Sequence, residues 1–301
     1  MIDFTPEIRN SGLWSTDSRR IAAGNTCAVV LEKLGRTEIE NLDNVEVVQM
    51  GKTMQPVIAR IFEDTHEMFL SEADYSLRHP KFPFIQSHFD YKARDHEFLV
   101  ECKNYNAAYI SHFSEPDEPV RVPDADLAQC LHEAIVHDVD TVYLAVLFGG
   151  QRYRDFKLTF DQATKDKWVE KLVSVWEMVL TNTPPDPVNS DQAHDLWPTD
   201  TSHSVIASKT MEALCTQLVR YQTQHKANEA AIDQMKTTLM AFMGDRSILQ
   251  SLDGRTLATW KQAKGGKRFD AKLFQNAMPE VYNSFCVETT GSRRFLIKGE
   301  S

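Results

Sequence analysis

Three ionisable residues in the stretch HFDYKARDHEFLVECKNYN, residues 88–106, have types and spacing that suit chemistry: Asp90, Glu101 and Lys103. The stretch reads as two antiparallel strands joined by a turn at Asp95-His96. That register sets Asp90 opposite Glu101, Tyr91 opposite Val100 and Phe89 opposite Cys102, with directly opposed Cβ atoms about 5 Å apart. Lys103, two residues beyond Glu101, falls on the same face as both acids, and Phe89, Val100 and Cys102 can pack beneath. Two carboxylates that close repel unless a cation or a proton lies between them. A hard divalent ion, Mg²⁺ or Mn²⁺, suits such a pair and keeps water or phosphate oxygens as its other ligands. The ammonium of Lys103 can orient or deprotonate a water, or neutralise charge growing on a phosphate. Such a face is suited to hydrolysing a phosphodiester. From spacing alone, a solvated hairpin carrying an ordinary Glu–Lys pair is the commoner outcome.

The elements that must hold this face can be read from periodicity. A helix is expected over 17–34, with Ile21, Val29, Leu31 and Leu34 on its apolar side. A second is expected over 52–69, where Met54, Val57, Ile58, Ile61 and Phe62 recur, with Thr53 as cap and Pro56 in the first turn. A third, over 124–137, buries Leu127, Cys130, Leu131 and Ala134 and shares Gln129 and His132 on the opposite face. DTVYLAVLFGG is a continuous apolar run, as in a strand covered on both sides. Gly149-Gly150 turns it into an alternating strand, QRYRDFKLTF, and a helix over 162–181 follows. This order predicts an α/β (α+β) core with a central mixed sheet flanked by helices.

Residues 183–203 are rich in Pro, Asp, Asn and Ser and are expected as a linker between a core over 1–182 and an accessory region over 204–301. Within that region, helices are expected over 204–248 and a small α/β element over 250–301. The three-four spacing from Met211 to Phe242, polar in its middle, fits either one long helix or two helices folded back on each other. The last fifty residues suggest a strand (TLATWKQ), a short helix (DAKLFQNA) and a closing hairpin (YNSFCVETTGSRRFLIK).

Composition narrows the classes. With 301 residues, 42% hydrophobic and 25% charged, the chain has room for one large or two modest globular domains. It holds no apolar run of about 18 residues, so no membrane partner is expected. MIDFTPEIRN lacks the basic-then-apolar order of a signal peptide, which points to the cytoplasm. Five scattered cysteines argue against a disulfide framework, a zinc ribbon or a cysteine-held iron–sulfur cluster. The net charge of -10 disfavours a general polyanion binder, but residues 251–301 hold nine Lys/Arg against five Asp/Glu. Lys261, Lys264, Lys267 and Arg268, with Trp260 and Phe269 among them, can follow a phosphate backbone or simply be a solvated surface.

The succession MGKTMQP opening a helix, then SHFDY, VECKN, QCLHEAI and TVYLAVLFGGQRYRDFKL, over residues 14–180, resembles the phage-type YqaJ recombinases. That family is related to lambda exonuclease and the RecB-like nucleases and has a restriction-endonuclease-like D…ExK core. A weaker resemblance extends to TLATWKQ, FDAKL and RRFLIK. The resemblance implies that Asp90, Glu101 and the backbone carbonyl of Cys102 hold Mg²⁺ or Mn²⁺ and that Lys103 is the catalytic lysine. It assigns Gln129 and His132 to positioning the DNA backbone or the metal shell, and Arg19 or Arg20 to an end phosphate. It implies a metal-dependent exonuclease acting on duplex DNA ends, 5′ to 3′, in viral recombination. Its partner would be a single-strand-annealing protein, its location the host cytoplasm, and a homotrimer is a permitted assembly.

The sequence departs from the family pattern in three places. Gln55 stands where a helix acid or histidine is expected, Phe89 where a proline precedes the aspartate, and Gly24 where a small hydroxyl residue lies near the end phosphate. Gln55 counts among the catalytic candidates and is the serious departure, since an amide is a weaker ligand than a carboxylate. Two rival readings follow: a DNA-end-binding scaffold weakened at Gln55, and a structure-specific endonuclease on the same core.

Overall fold

Residues 5–37, 45–73, 75–288 and 291–298 are described by the structure, a computed structural model, and they fall into two units, Met1–Pro198 and Thr199–Ser301. A short α1 (Pro6–Asn10) comes first, and the single helix expected over 17–34 is instead two, α2 (Ser15–Ala22) and α3 (Thr26–Lys33). The break falls at Gly24, whose φ of 84 lies in the left-handed region that glycine enters without a Cβ clash. Helix α4 (Glu46–His66) starts earlier than expected. Thr53 is therefore inside it, its hydroxyl donating to the Gln49 carbonyl at 2.9 Å, and is not a cap. Pro56 likewise lies within the helix.

Strand β1 (Leu70–Glu72) and the two-residue strands β2 (Leu77–Arg78) and β3 (Gln86–Ser87) lead to β4 (Tyr91–Ala93) and β5 (Phe98–Tyr105). The β4–β5 ladder is antiparallel with Tyr91 opposite Val100, as the apolar alternation requires. It stops at Tyr91, so Phe89 does not lie beneath with Cys102 as expected. Its ring packs with Leu99 on the other side of the sheet, edge-on to His137 at 4.3 Å.

After a short 3-10 helix, Ala107–His112, comes α5 (Asp124–His137), followed by β6 (Thr141–Phe148), β7 (Arg152–Thr159) and α6 (Gln162–Leu180). β6 runs parallel to β5 and antiparallel to β7. The five strands form one mixed sheet in the order β1-β4-β5-β6-β7. Val100 and Cys102 pack with Ile58 and Phe62 of α4 on one face, and Leu99 packs with Cys130, Leu131 and Ala134 of α5 on the other. This is the expected architecture, a central mixed sheet flanked by helices. Helix α5 does not divide into an apolar stripe and a polar face. Gln129, His132 and Glu133 are buried with their apolar neighbours, and Leu127, expected in the stripe, is exposed.

The segment 183–203 holds a helix, α7 (Ser190–Leu196), and the first unit extends through it to Pro198. The Asn189 side chain accepts from the Gln192 backbone N–H, and the buried Gln192 amide donates to Asn25 at 3.2 Å. In the second unit, α8 (Lys209–Met243) is one continuous helix. β8 (Ile248–Gln250) and β9 (Thr256–Thr259) form a hairpin, followed by α9 (Ala271–Ala277) and α10 (Pro279–Ser284). The expected closing hairpin is not formed: α10 takes its first residues, and 285–288 and 291–298 contain no strand. Thr289 and Thr290 of that stretch lie outside the described residues.

Candidate active site

The second strand of the opening stretch, β5, is central in the sheet, and alternation sends Glu101 and Lys103 to the α5 side while Val100 and Cys102 face α4. Glu101 is only 4% exposed, so its charge needs partners. Its Oε1 accepts two short hydrogen bonds, from Lys103 Nζ and from the Gln129 amide, each at 2.6 Å. Asp90, just before β4, is held by both oxygens. Oδ2 accepts from the Cys102 backbone N–H and Oδ1 from the Gln55 amide of α4, each at 2.9 Å. Three elements, β5, α5 and α4, thus supply partners to the two carboxylates.

The electrostatics are those of an acid-rich pocket. Burial, then the charge of Glu101, holds the Asp90 carboxyl well above its ordinary pKa, against the opposing pull of Lys103 and the Cys102 N–H. Burial lowers the pKa of Lys103, but Glu101 and Asp90 outweigh it and keep the amine an ammonium above its usual range. Sequence reasoning missed a third acid, Glu133, one turn beyond Gln129 on α5. It is fully buried and accepts from Gln129 at 3.1 Å. Burial and then Glu101 also hold its carboxyl well above normal. Glu133 Oε2 and Gln129 Oε1 have no hydrogen-bond partner. The (i, i+4) spacing of Gln129 and Glu133 was the available signal.

A cleft of about 220 Å³ opens onto these groups. Gln55, Asp90, Glu101, Lys103 and Gln129 line one part, and Ser15, Thr16, Asp17 and Lys33 of α2 and α3 line another. Lys33 was also missed. Its ammonium is buried against Asp17, at 2.7 Å from Oδ2, and donates to the Arg9 carbonyl at 2.7 Å. A pairing between residues on two short helices leaves no periodic trace in the sequence.

Among the described residues no cluster of three His, Cys, Asp or Glu could hold a metal ion. The donor set here is the carboxylates of Asp90 and Glu101, with the Gln55 side-chain amide beside Asp90. Carboxylates are hard oxygen donors, and the buried Glu101 and half-buried Asp90 repel each other in the absence of a cation, so the residues fit Mg²⁺ or Mn²⁺. In the arrangement seen, Gln55 turns its N–H toward Asp90, not its carbonyl oxygen.

The two arginine candidates separate. Arg19 is bound to Asp126, and its other nitrogen donates to the Tyr105 hydroxyl at 3.0 Å. Tyr105 in turn donates to Asp126 at 2.8 Å, so Arg19 is anchored to the end of β5, two residues past Lys103. Arg20 pairs with Glu32 at 2.7 Å. His132 lies elsewhere and is a correction to the sequence reading. The imidazole is turned away from the carboxylates and fully enclosed between α2, β3 and α5. The Gln86 carbonyl can only accept, so Nε2 donates to it at 2.9 Å. Nδ1 then accepts from the Ser18 hydroxyl at 2.7 Å, whose oxygen accepts from the Trp168 indole at 3.1 Å. Burial pushes this neutral histidine down to about 4. Lys261, Lys264, Lys267 and Arg268 are exposed in a segment of the second unit without helix or strand.

Residues 7–140 match the family model of the YqaJ-like viral recombinase domain. No curated protein matches the chain. Among solved structures it is similar to the alkaline exonuclease LHK-Exo from Laribacter hongkongensis, at 11% identity over 59% of this chain and 92% of that one, with a TM-score of 0.47. The same enzyme in complex with dAMP gives 14% identity, 58% and 91% coverage and a TM-score of 0.46. A phage-related exonuclease from Haemophilus somnus 129PT gives 11%, 56% and 82%, and 0.40.

Proposed function

As a chain that carries a YqaJ-like viral recombinase domain over residues 7–140, this protein is, we propose, a divalent-metal-dependent DNA exonuclease that degrades duplex ends 5′ to 3′ in phage-type recombination. The observation that carries the reading is the meeting of Asp90, Glu101 and Lys103 at one cleft, with the Lys103 ammonium 2.6 Å from Glu101. Asp90, Glu101 and the Cys102 carbonyl would hold Mg²⁺ or Mn²⁺, which supplies Lewis-acid charge toward the phosphate. Lys103 donates to the attacking water or to a phosphate oxygen as negative charge grows there. Gln129 holds Glu101 in place, and Gln55 steadies Asp90. Arg19, fixed by Asp126 and Tyr105, grips a phosphate near the end, and the basic segment around Lys261–Arg268 follows the duplex. A single-strand-annealing protein would receive the strand left behind.

One observation favours a second reading. The Gln55 N–H occupies an oxygen of Asp90 where an acidic residue would leave that oxygen free, so the chain could bind DNA ends while cutting poorly. Nucleotide release from linear duplex DNA bearing a 5′-phosphate, run with Mg²⁺ beside closed-circular DNA, separates the readings. The exonuclease digests only the linear form, and Lys103→Ala abolishes digestion. Inactivity of the parent with activity in Gln55→Glu supports the scaffold, and cutting of the circle supports an endonuclease.

A further inference from the structure

Helix α8 spans 35 residues, about 52 Å, and Met243 is its only buried residue. An exposed helix of this length would be expected to be polar all round or to pair with something. It is not polar all round. Met211, Leu218, His225, Ile232 and Leu239 recur every seven residues, and Leu214, Tyr221, Asn228, Met235 and Phe242 follow three behind each. Tyr221 is 62%, Met235 59% and Phe242 74% exposed. The strict seven-residue period over five repeats is the a/d seam of a coiled coil, narrower than the stripe that seats a helix on a globular core. Glu212, Arg220, Lys226 and Asp233 fall off the seam and stay in water.

The seam also selects its occupant. Two apolar repeats lie on each side of one polar step, His225 and Asn228. Turning a second α8 end for end about the midpoint of that step sets Met211 beside Phe242, Leu214 beside Leu239, Leu218 beside Met235 and Tyr221 beside Ile232. His225 then meets Asn228, whose amide offers both a donor and an acceptor to the imidazole. A parallel pair would set imidazole against imidazole. An unrelated helix would have to reproduce the polar step at the same level, whereas a second copy carries it already. Eight apolar seam side chains at about 80 Å² each give about 640 Å² per helix, and the flanking stems bring this near the roughly 800 Å² per partner of a standard interface. We infer that α8 is a dimerisation helix: two copies of this chain join through an antiparallel two-stranded coiled coil centred on His225 and Asn228.

Sedimentation of the full chain at micromolar concentration tests this. The expected mass is twice 34.4 kDa. The Leu218→Asp, Ile232→Asp double variant, changed only at residues outside the cleft, is expected at 34.4 kDa with the parent's unfolding profile. A parent of single or triple mass, or a double variant that stays dimeric, overturns the pairing. So does a chain that is monomeric alone and pairs only with a different protein. Orientation is read by disulfide trapping in a Cys215→Ser, Cys286→Ser background. Leu218→Cys chains mixed and equilibrated with Met235→Cys chains should cross-link, and neither should alone. Cross-linking of either variant alone overturns the antiparallel arrangement, and this readout stands even where the charged variant folds poorly.

Discussion

His132 provides a sharp test of how this core is held, because every group around its imidazole is identified. Its pKa in the fold is about 4, against an ordinary value of 6.5. The folded pKa is depressed, so its contribution to stability is intact above pH 6.5 and is lost as pH falls toward 4, where the unfolded chain takes a proton that the folded chain refuses. For those two values, the linkage relation gives a loss of about 2 kcal/mol between pH 7 and pH 5. His132→Gln cannot take up a proton. The variant is expected to be less stable than the parent at pH 7, because the bonds to Ser18 and Gln86 are disturbed. It is also expected to lose about 2 kcal/mol less than the parent when both are moved to pH 5. Urea unfolding followed by tryptophan fluorescence at the two pH values measures this difference of differences, and other titrating groups cancel. Equal losses in parent and variant would refute the account, since His132 would then protonate freely and could not be the enclosed bridge described. Sharply reduced nuclease activity in a variant that remains folded at pH 7 would return His132 to the cleft.

Gln129→Leu removes the amide that links Glu101 to Glu133 and should lower kcat about 10- to 100-fold, the range for a group that orients a metal ligand, with KM for DNA little changed. Steady-state rates on end-labelled duplex check it. Gln55→Glu adds an acid beside Asp90, so its melting temperature without divalent ions should fall below the parent's. Mg²⁺ should then raise it by more than it raises the parent's, and equal shifts in calorimetry would count against Gln55 facing the ion.

The β4–β5 register was legible because a one-residue slip would have turned Tyr91 and Val100 away from α4. The same alternation did not reach Phe89: the ladder ends at Tyr91, and the chain before it is free to aim that ring at the opposite core. Helix α5 was placed correctly from its spacing, yet its polar residues were misjudged. Pattern reasoning treats a polar face as wet, and here the sheet, α2 and α6 cover that face of the helix, so Gln129, His132 and Glu133 find partners inside. The Lys33–Asp17 pair and the Arg19–Asp126–Tyr105 network depend on how helices approach one another across long stretches of sequence, which no local period encodes.

The distribution of charge in the cleft accounts for a neutral residue at position 55. Asp90 and Glu133 are already held toward their protonated forms by burial and by Glu101, and the Lys103 ammonium is bonded to Glu101. A further carboxylate at 55 would add like charge beside Asp90, whose carboxyl is already held well above its ordinary range. An amide avoids that cost. With no ion bound, its N–H satisfies an oxygen of Asp90, as seen. Rotation of the same side chain by half a turn exchanges donor for acceptor without moving the backbone and offers a carbonyl oxygen to a cation. Glutamine would thus suit the cleft with or without a cation, trading ligand strength for stability of the ion-free fold. That trade would leave the carboxylate–lysine arrangement intact while weakening any hold of position 55 on a cation.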